Sequence, residues 1–331
     1  NLMRHPFREW RQHHHIYKKV TLLERGVLAC SKCGKHADLN DLAPLQLVEC
    51  QKCGMYNFVP QRIDRFWLLE PLGSGAMGRV YKAASAEEPK EFFAVKLLPM
   101  EQRDNPELIE TLMHEAELAE RCGDHPSLVK CVAKGYYGDE PFYAMEYVEG
   151  ERLENRIERR ESLPIKEVCD MALDLLSAEQ RIYDEGFLYR DLKPENVLFN
   201  RDDRAMLFDY GLCMSLEQAQ NPEEDFMHGS VYYIPPERWF AQAEDAYSEI
   251  YSLGLVMYYA VTGRNLIQSK DLPRVAKRHT SSLRVPLKSK LKGFPPDVVE
   301  VLSNMVQQES SQRYQTFEEA SEAIRQLRDA R

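Results

Sequence analysis

Short alternating runs fill the stretch from Phe66 to about Ala133. Phe66–Leu72, Val80–Ala84 and Phe92–Leu98 alternate and carry β-branched or aromatic residues, which is the pattern of strands. One segment breaks the alternation: from Pro106 to Arg121, Leu108, Leu112, Glu115 and Leu118 recur at helical spacing. After Gly150 the helical pattern dominates to the end of the chain. The pattern predicts an α+β protein of two lobes, a β-rich small one and a helical large one, joined near Met145–Gly150. Ahead of them, residues 1–25 are polar and basic, with Phe7, Trp10 and the run His13, His14, His15; they read as a solvated arm or a loosely packed helix. Residues 28–58 form a compact cysteine-paired unit, and 59–65 read as a linker. The predicted division is an arm at 1–25, the cysteine unit at 26–60, the small lobe at 61–148 and the large lobe at 149–331.

Composition narrows the classes. The chain has 331 residues, 44% hydrophobic and 29% charged, an ordinary globular balance with enough apolar material for a core. A net charge of −10 argues against nucleic-acid binding, which usually shows a basic surface. The longest apolar run, Leu253 to Val261, is far short of the ~20 residues of a membrane helix, and the polar N-terminus has no apolar signal region. The expectation is a cytoplasmic protein with no membrane span in this segment. Eight cysteines in such a chain point to metal binding or free thiols before disulfides.

Four of those cysteines are arranged for metal. Cys30-Ser31-Lys32-Cys33-Gly34 and Cys50-Gln51-Lys52-Cys53-Gly54 are two C-x-x-C-G knuckles separated by sixteen residues, a zinc signature. Each glycine lets the chain curl so that N–H groups face the sulfurs. Four thiolates at ~2.3 Å would close a tetrahedral structural Zn²⁺ site with no open position for catalysis. His36 reads as a bystander. The unit resembles a zinc ribbon. It could dock a partner, bind substrate or brace the small lobe.

The remaining chemistry concerns phosphate. Gly73-Ser74-Gly75-Ala76-Met77-Gly78 is a glycine-rich loop between two strand-like runs. Its strand–loop–strand setting argues against a dinucleotide-binding fold and a Walker loop. Lys96 ends the apolar run Ala94-Val95-Lys96, where a charge is costly without a partner. Then come Tyr189-Arg190-Asp191-Leu192-Lys193-Pro194-Glu195-Asn196 and Phe208-Asp209-Tyr210-Gly211. Phosphoryl transfer needs a positioned hydroxyl, metal-bridged phosphates and charge stabilisation. Asp191 can accept the hydroxyl proton, Asn196 and Asp209 offer oxygen ligands to Mg²⁺, and Lys193 can reach the transferring phosphate.

In order and spacing these motifs make residues 66–331 resemble the eukaryotic-type protein kinases, particularly the bacterial serine/threonine branch. The resemblance implies a two-lobed kinase-like fold that transfers the γ-phosphate of ATP to serine or threonine hydroxyls of protein substrates. It makes Asp191, Lys193, Lys96 and Glu115 catalytic, with Glu115 pairing Lys96 and Glu117 as its rival. It implies ATP contacts from Leu72, Gly73, Ser74, Gly75, Ala76, Met77, Gly78, Val80, Ala94 and Lys96, from the gatekeeper Met145, and from the hinge residues Glu146 and Val148. Asn196 and Asp209 would hold Mg²⁺. Glu237 of Pro235-Pro236-Glu237 and Arg313 would form a structural ion pair. Lys193 marks the serine/threonine branch, and Ser230 would face the substrate. Three residues depart from the family pattern: Tyr189 for His, Tyr210 for Phe and Glu249 for Asp. The alternative is a nucleotide-binding pseudokinase scaffold acting through its ribbon. The segment Asp209–Glu237 holds no threonine and two serines, and its acids Glu223, Glu224 and Asp225 are candidates to pair with Arg190 in place of an activating phosphate.

Overall fold

The computed structural model describes residues 16–75, 78–88, 90–222, 230–267, 271–280 and 287–331. The chain divides into two units, Asn1–Glu117 with Lys130–Tyr147, and Leu118–Val129 with Val148–Arg331.

The first unit begins with helix α1 (16–24) and two hairpins, β1 (Val27–Ala29) with β2 (His36–Asp38) and β3 (Leu47–Glu49) with β4 (Tyr56–Phe58). Each cysteine knuckle is the turn of one hairpin. Then come β5 (Gln61–Ile63), β6 (Phe66–Gly75), β7 (Gly78–Ser85), β8 (Phe92–Leu97), helix α2 (Pro106–Cys122), β9 (Cys131–Tyr137) and β10 (Glu140–Glu146). Six of these strands form an antiparallel sheet in the order β5-β6-β7-β8-β10-β9. The stretch read as a linker thus carries β5, whose Ile63 is fully buried; three residues are too few for alternation to register.

Phe66, Trp67, Leu68 and Leu69 are all buried, so both faces of β6 are covered. One face packs Phe66 and Leu68 with Tyr81, Phe93, Val95, Leu97 and Phe142. The other packs Trp67, Leu69 and Ala84 against Val20 and Leu23 of α1 and Leu28 and Val59 of the cysteine unit. Trp67 Nε1 donates to Glu24 of α1 at 2.7 Å. The part of the arm over 16–24 is therefore a docked helix; residues 1–15, with Phe7, Trp10 and the three histidines, lie outside the described residues.

The second unit holds β11 (Glu151–Arg152), α3 (Leu153–Arg160), α4 (Ile165–Asp184), β12 (Phe187–Leu188), β13 (Val197–Phe199), β14 (Ala205–Leu207), β15 (Met214–Ser215), α5 (Leu216–Gln220), α6 (Pro236–Trp239), α7 (Ala246–Thr262), α8 (Leu272–Thr280), α9 (Leu287–Lys290), α10 (Pro296–Met305) and α11 (Phe317–Asp329). Its core is α4, packed on α7, α11 and β14. Gly254 lets α7 meet α10 closely: a Cβ there would lie 2.8 Å from Met305 Cβ. Strand β12 pairs with β15 so that Leu188 faces Met214. That pairing sets the start of the loop 189–196 beside the end of the loop 208–213.

Candidate active site

In the first unit, sheet register collects the phosphate-handling residues. Gly73 lies opposite Val80, Val80 opposite Lys96, and Ala94 opposite Met145. Lys96 is buried, and its Nζ lies 2.7 Å from Glu115 Oε2, also buried. A lysine in an apolar strand stays charged only with such a partner. Glu117 faces elsewhere, exposed, with Lys134 Nζ at 3.9 Å. Gly78 has φ +150°, and a Cβ on it would meet Leu97 O at 2.8 Å and two carbons of the Lys96 stem at 3.3 Å. Glycine there keeps the backbone against the lysine. Leu72 is exposed on β6 and Met145 is buried on β10. Ala76 and Met77 lie outside the described residues, as does the side chain of Ser74. In the hinge stretch, Glu146 N donates to Lys130 O and Glu146 Oε1 accepts from Lys130 N, both at 3.0 Å; Val148 is half-buried.

In the second unit the loop 189–196 is built around Asp191. Its Oδ2 accepts from Lys193 Nζ and from Asn196 Nδ2, each at 2.7 Å. Its Oδ1 is buried and has no hydrogen-bond partner among the described residues. Burial raises the Asp191 pKa, the nearby Asp209 charge adds to that, and Lys193 and Asn196 oppose it. Asn196 points its amide nitrogen at Asp191, also donating to Asp191 O at 3.0 Å, which leaves its oxygen as the atom for a hard cation. Asp209 stands at φ +67° and its Oδ1 accepts from Gly211 N at 3.4 Å. Two oxygen donors, one an anion, suit Mg²⁺.

The three departures are each accommodated. Tyr189 OH donates to Phe208 O at 2.6 Å and Tyr210 OH to Val129 O at 3.2 Å, so both buried phenols are satisfied. Glu249 Oε1 accepts from Arg190 N at 2.9 Å, so the longer side chain still reaches the loop backbone. Arg313 clamps Glu237 through Nη1 at 2.5 Å and Nη2 at 2.9 Å, both residues buried.

Residues Glu223, Glu224 and Asp225 lie outside the described residues, and Ser230 is half-buried. The guanidinium of Arg190 is held by Glu244, a residue that sequence reasoning did not single out and that carries no local signal. Glu179 was also missed, yet it left one. It falls on the helical stripe of Val168, Leu175, Leu176 and Ile182 in α4, a core position, and it is buried against Glu249.

Cys30, Cys33, Cys50 and Cys53 place all four sulfurs within 4.8 Å of one another. Cys30 Sγ lies 3.6 Å from Cys53 Sγ, and Cys33 Sγ 3.7 Å from Cys50 Sγ. Four ligands ~2.3 Å from a common centre sit about 3.8 Å apart, so these spacings fit a tetrahedral ion and exclude disulfide bonds in the cluster. Gly34 and Gly54 both take φ +70°, and their N–H groups bond to Cys30 O and Cys50 O. N–H groups of Cys33 and then Lys32, with the Asn57 side chain, lower the Cys30 thiol pKa to about 6 against the opposing effect of burial. Cys50 is lowered as well by the N–H groups of Lys52 and Cys53, whereas Cys53, against the Met55 N–H, is pushed up to about 12 by burial and the neighbouring thiols. A bound metal would take the cysteines as thiolates.

Residues 66–325 match the model of the protein kinase domain. A probable serine/threonine-protein kinase of Clostridium perfringens is 28% identical over 256 residues, 77% of this chain and 37% of that protein. Serine/threonine-protein kinase PrkC of Bacillus subtilis is 27% identical over 266 residues, 80% of this chain and 41% of its own length. Serine/threonine-protein kinase PknA of Mycobacterium tuberculosis is 27% identical over 272 residues, 81% of this chain and 62% of its own. The chain thus spans well under half of the first two relatives, and the cysteine cluster precedes the matched segment.

Proposed function

Because the chain belongs to the protein kinase family, we propose that it is an active serine/threonine protein kinase that transfers the γ-phosphoryl group of ATP to hydroxyls of protein substrates. One observation carries this reading: Asp191 is buried, its Oδ2 is fixed by Lys193 and Asn196, and its Oδ1 has no partner among the described residues. A buried carboxylate oxygen left unsatisfied is costly unless it has a task. Its task here is to receive the substrate proton.

In the reaction Asp191 orients the serine or threonine hydroxyl and takes its proton as the Oγ–P bond forms. The bond from the γ-phosphorus to the β,γ-bridging oxygen breaks, and ADP leaves. Lys193 neutralises charge on the transferring group. Lys96, kept charged and oriented by Glu115, holds the α- and β-phosphates. The glycines Gly73 and Gly78 let the backbone approach the phosphates, while Leu72, Val80, Ala94 and Met145 line the adenine and Glu146 and Val148 read its edge. Asn196 and Asp209 would hold Mg²⁺, which supplies charge neutralisation at the phosphates when bound.

The ribbon belongs to the same reading. Cys30, Cys33, Cys50 and Cys53 hold a structural Zn²⁺, and its first role is to brace the small lobe on which it packs. Leu47, Met55 and Tyr56 are exposed on the ribbon and offer the place for a docking partner. A thiolate cluster, and the lack of disulfides among the described cysteines, suits a reducing compartment such as the cytoplasm. No helix among the described residues is long and apolar enough to cross a membrane.

The test is phosphate incorporation from radiolabelled ATP into a serine/threonine peptide library, with Asp191→Asn beside the wild type. Incorporation should be lost in the variant while nucleotide binding persists. Equal incorporation in the two would remove Asp191 from the chemistry. No incorporation by the wild type would favour the scaffold.

A further inference from the structure

Arg190 immediately precedes the proposed base, and its backbone stands at φ +66°, a conformation that a residue with a side chain holds only when its surroundings compel it. Three buried groups do so. Glu249 Oε1 accepts from its N–H at 2.9 Å, and Arg238 Nη1 donates to its carbonyl at 2.9 Å. Glu244 Oε1 accepts from its guanidinium, at 2.7 Å from Nη2 and 3.2 Å from Nε. The same carboxylate takes Arg238, with Nη2 at 2.7 Å and Nε at 3.0 Å from Oε2. One buried anion therefore bridges two buried guanidinium groups.

Glu244 also reaches the other way. Its backbone N–H donates to Ala219 O at 2.9 Å, in the short helix α5 of the segment Asp209–Glu237. A single residue thus ties that segment to the loop that carries Asp191. In kinases switched by phosphorylation, a phosphate on the activation segment makes new pairs with arginine and orders the segment. Here the anion is already part of the chain. One of the segment's two serines is committed elsewhere: Ser215 caps α5, its Oγ accepting from Gln218 N at 3.3 Å.

We propose that Glu244 is a built-in replacement for an activating phosphate, a positioning residue that sets the Arg190–Asp191 loop in its working form in the unphosphorylated protein. The proposal deepens the kinase reading and rests on it. Its consequence is full activity without activation-segment phosphorylation.

The decisive measurement strips all phosphate from the purified chain with a phosphatase, verifies this by intact mass, removes the phosphatase, and follows peptide phosphorylation from the first seconds. The expected course is linear from the start, at the rate of protein that was never stripped. A lag that disappears once the chain has phosphorylated itself would overturn the proposal and leave the kinase reading intact. Activity no higher than that of Asp191→Asn in either form would overturn the kinase reading, and the proposal with it. Glu244→Gln should lower kcat about 10²-fold by misplacing the loop, with the KM for ATP within about twofold, and Glu244→Asp should recover part of the loss. Unchanged kcat in folded Glu244→Gln would also overturn the proposal. Should that variant fail to fold, the phosphatase experiment decides alone.

Discussion

Removing the zinc proposed for the ribbon should destabilise the kinase small lobe itself. At about 35 residues the cysteine unit is below the size that folds without a staple, so losing the metal unfolds it. Its Leu28 and Val59 are buried in one cluster with Trp67, Leu69 and Ala84 of the kinase sheet. Full burial of such a side chain contributes about 1.5–3 kcal/mol, so stripping these two removes about 3–6 kcal/mol. Val20 and Leu23 of α1 lose part of their packing as well, and an already compact unfolded chain lowers the total. Even the smaller figure is a large share of a domain's 5–15 kcal/mol. For a unit of this size it corresponds to a fall in Tm of about 10 °C or more. The assay is calorimetry of the intact chain, magnesium-free, with a zinc chelator and then with zinc restored, alongside metal analysis. Trp67 gives an independent signal, since its indole is buried and bonded to Glu24; its emission should move to the red on chelation. Expected are one zinc per chain and a reversible loss of the small-lobe transition temperature. If zinc leaves and that transition stays where it was, the ribbon is an independent appendage and the bracing argument fails.

Two further predictions concern buried charge. Burial and then the Glu244 charge push the Glu249 pKa up to about 7 against Arg238 and Arg190, while Glu179, buried against Glu249, is raised as well. A carboxyl whose folded pKa exceeds its unfolded value contributes stability that is complete below about pH 4.5 and lost as pH rises to about 7, on the order of 3 kcal/mol. Glu179→Gln should flatten that slope and raise Tm at pH 8 more than at pH 5; an unaltered slope in denaturant titrations across this range would refute the coupling of these two buried carboxyls. Lys96→Met should abolish phosphate transfer and cost about 3–5 kcal/mol by taking from the buried Glu115 carboxylate its lysine, whereas Lys96→Met with Glu115→Leu should regain the stability but none of the activity. Recovery of activity in the double variant would show that Lys96 serves only the fold.

How far the sequence discloses this molecule depends on whether a signal is local. The strand runs from Phe66, Val80 and Phe92 and the helix from Pro106 stand within a residue or three of β6, β7, β8 and α2, because β-branched and aromatic runs mark buried strands and helical spacing marks the helix. The cysteine spacing is local too, and the four sulfurs gather as it requires. Docking of the ribbon left a fainter trace: the unbroken run Phe66-Trp67-Leu68-Leu69 calls for cover on both faces of its strand, and the second cover is the ribbon with α1. Within α1, Ile16, Val20 and Leu23 keep helical spacing inside a polar stretch whose average composition hides it. The grip of Glu244 on Arg190 joins residues 54 positions apart, and one carboxylate among 53 acidic residues has no pattern to betray it.

That difference bears on how departures from a family pattern should be weighed. Read along the chain, Tyr189, Tyr210 and Glu249 each alter a position that packs or braces the reacting loops, and none removes a reacting group; the two phenols need a hydrogen-bond partner and the longer Glu249 could brace more loosely. In the folded chain each alteration comes with its own compensation: a carbonyl for each phenol, and for Glu249 an extra methylene that still meets the Arg190 amide. Glu249 also faces a second acid, Glu179, where the α4 stripe otherwise buries apolar side chains. Two carboxyls buried together are tolerable only when at least one of them is neutral. The brace under the loop therefore depends on protonation, and the clamp above it depends on the fixed charge of Glu244. Arg190 is held by one group that titrates near neutrality and one whose pKa its two arginines keep low against the cost of burial. Holding the loop by the charged clamp is what lets the chain carry a brace that proton binding can alter.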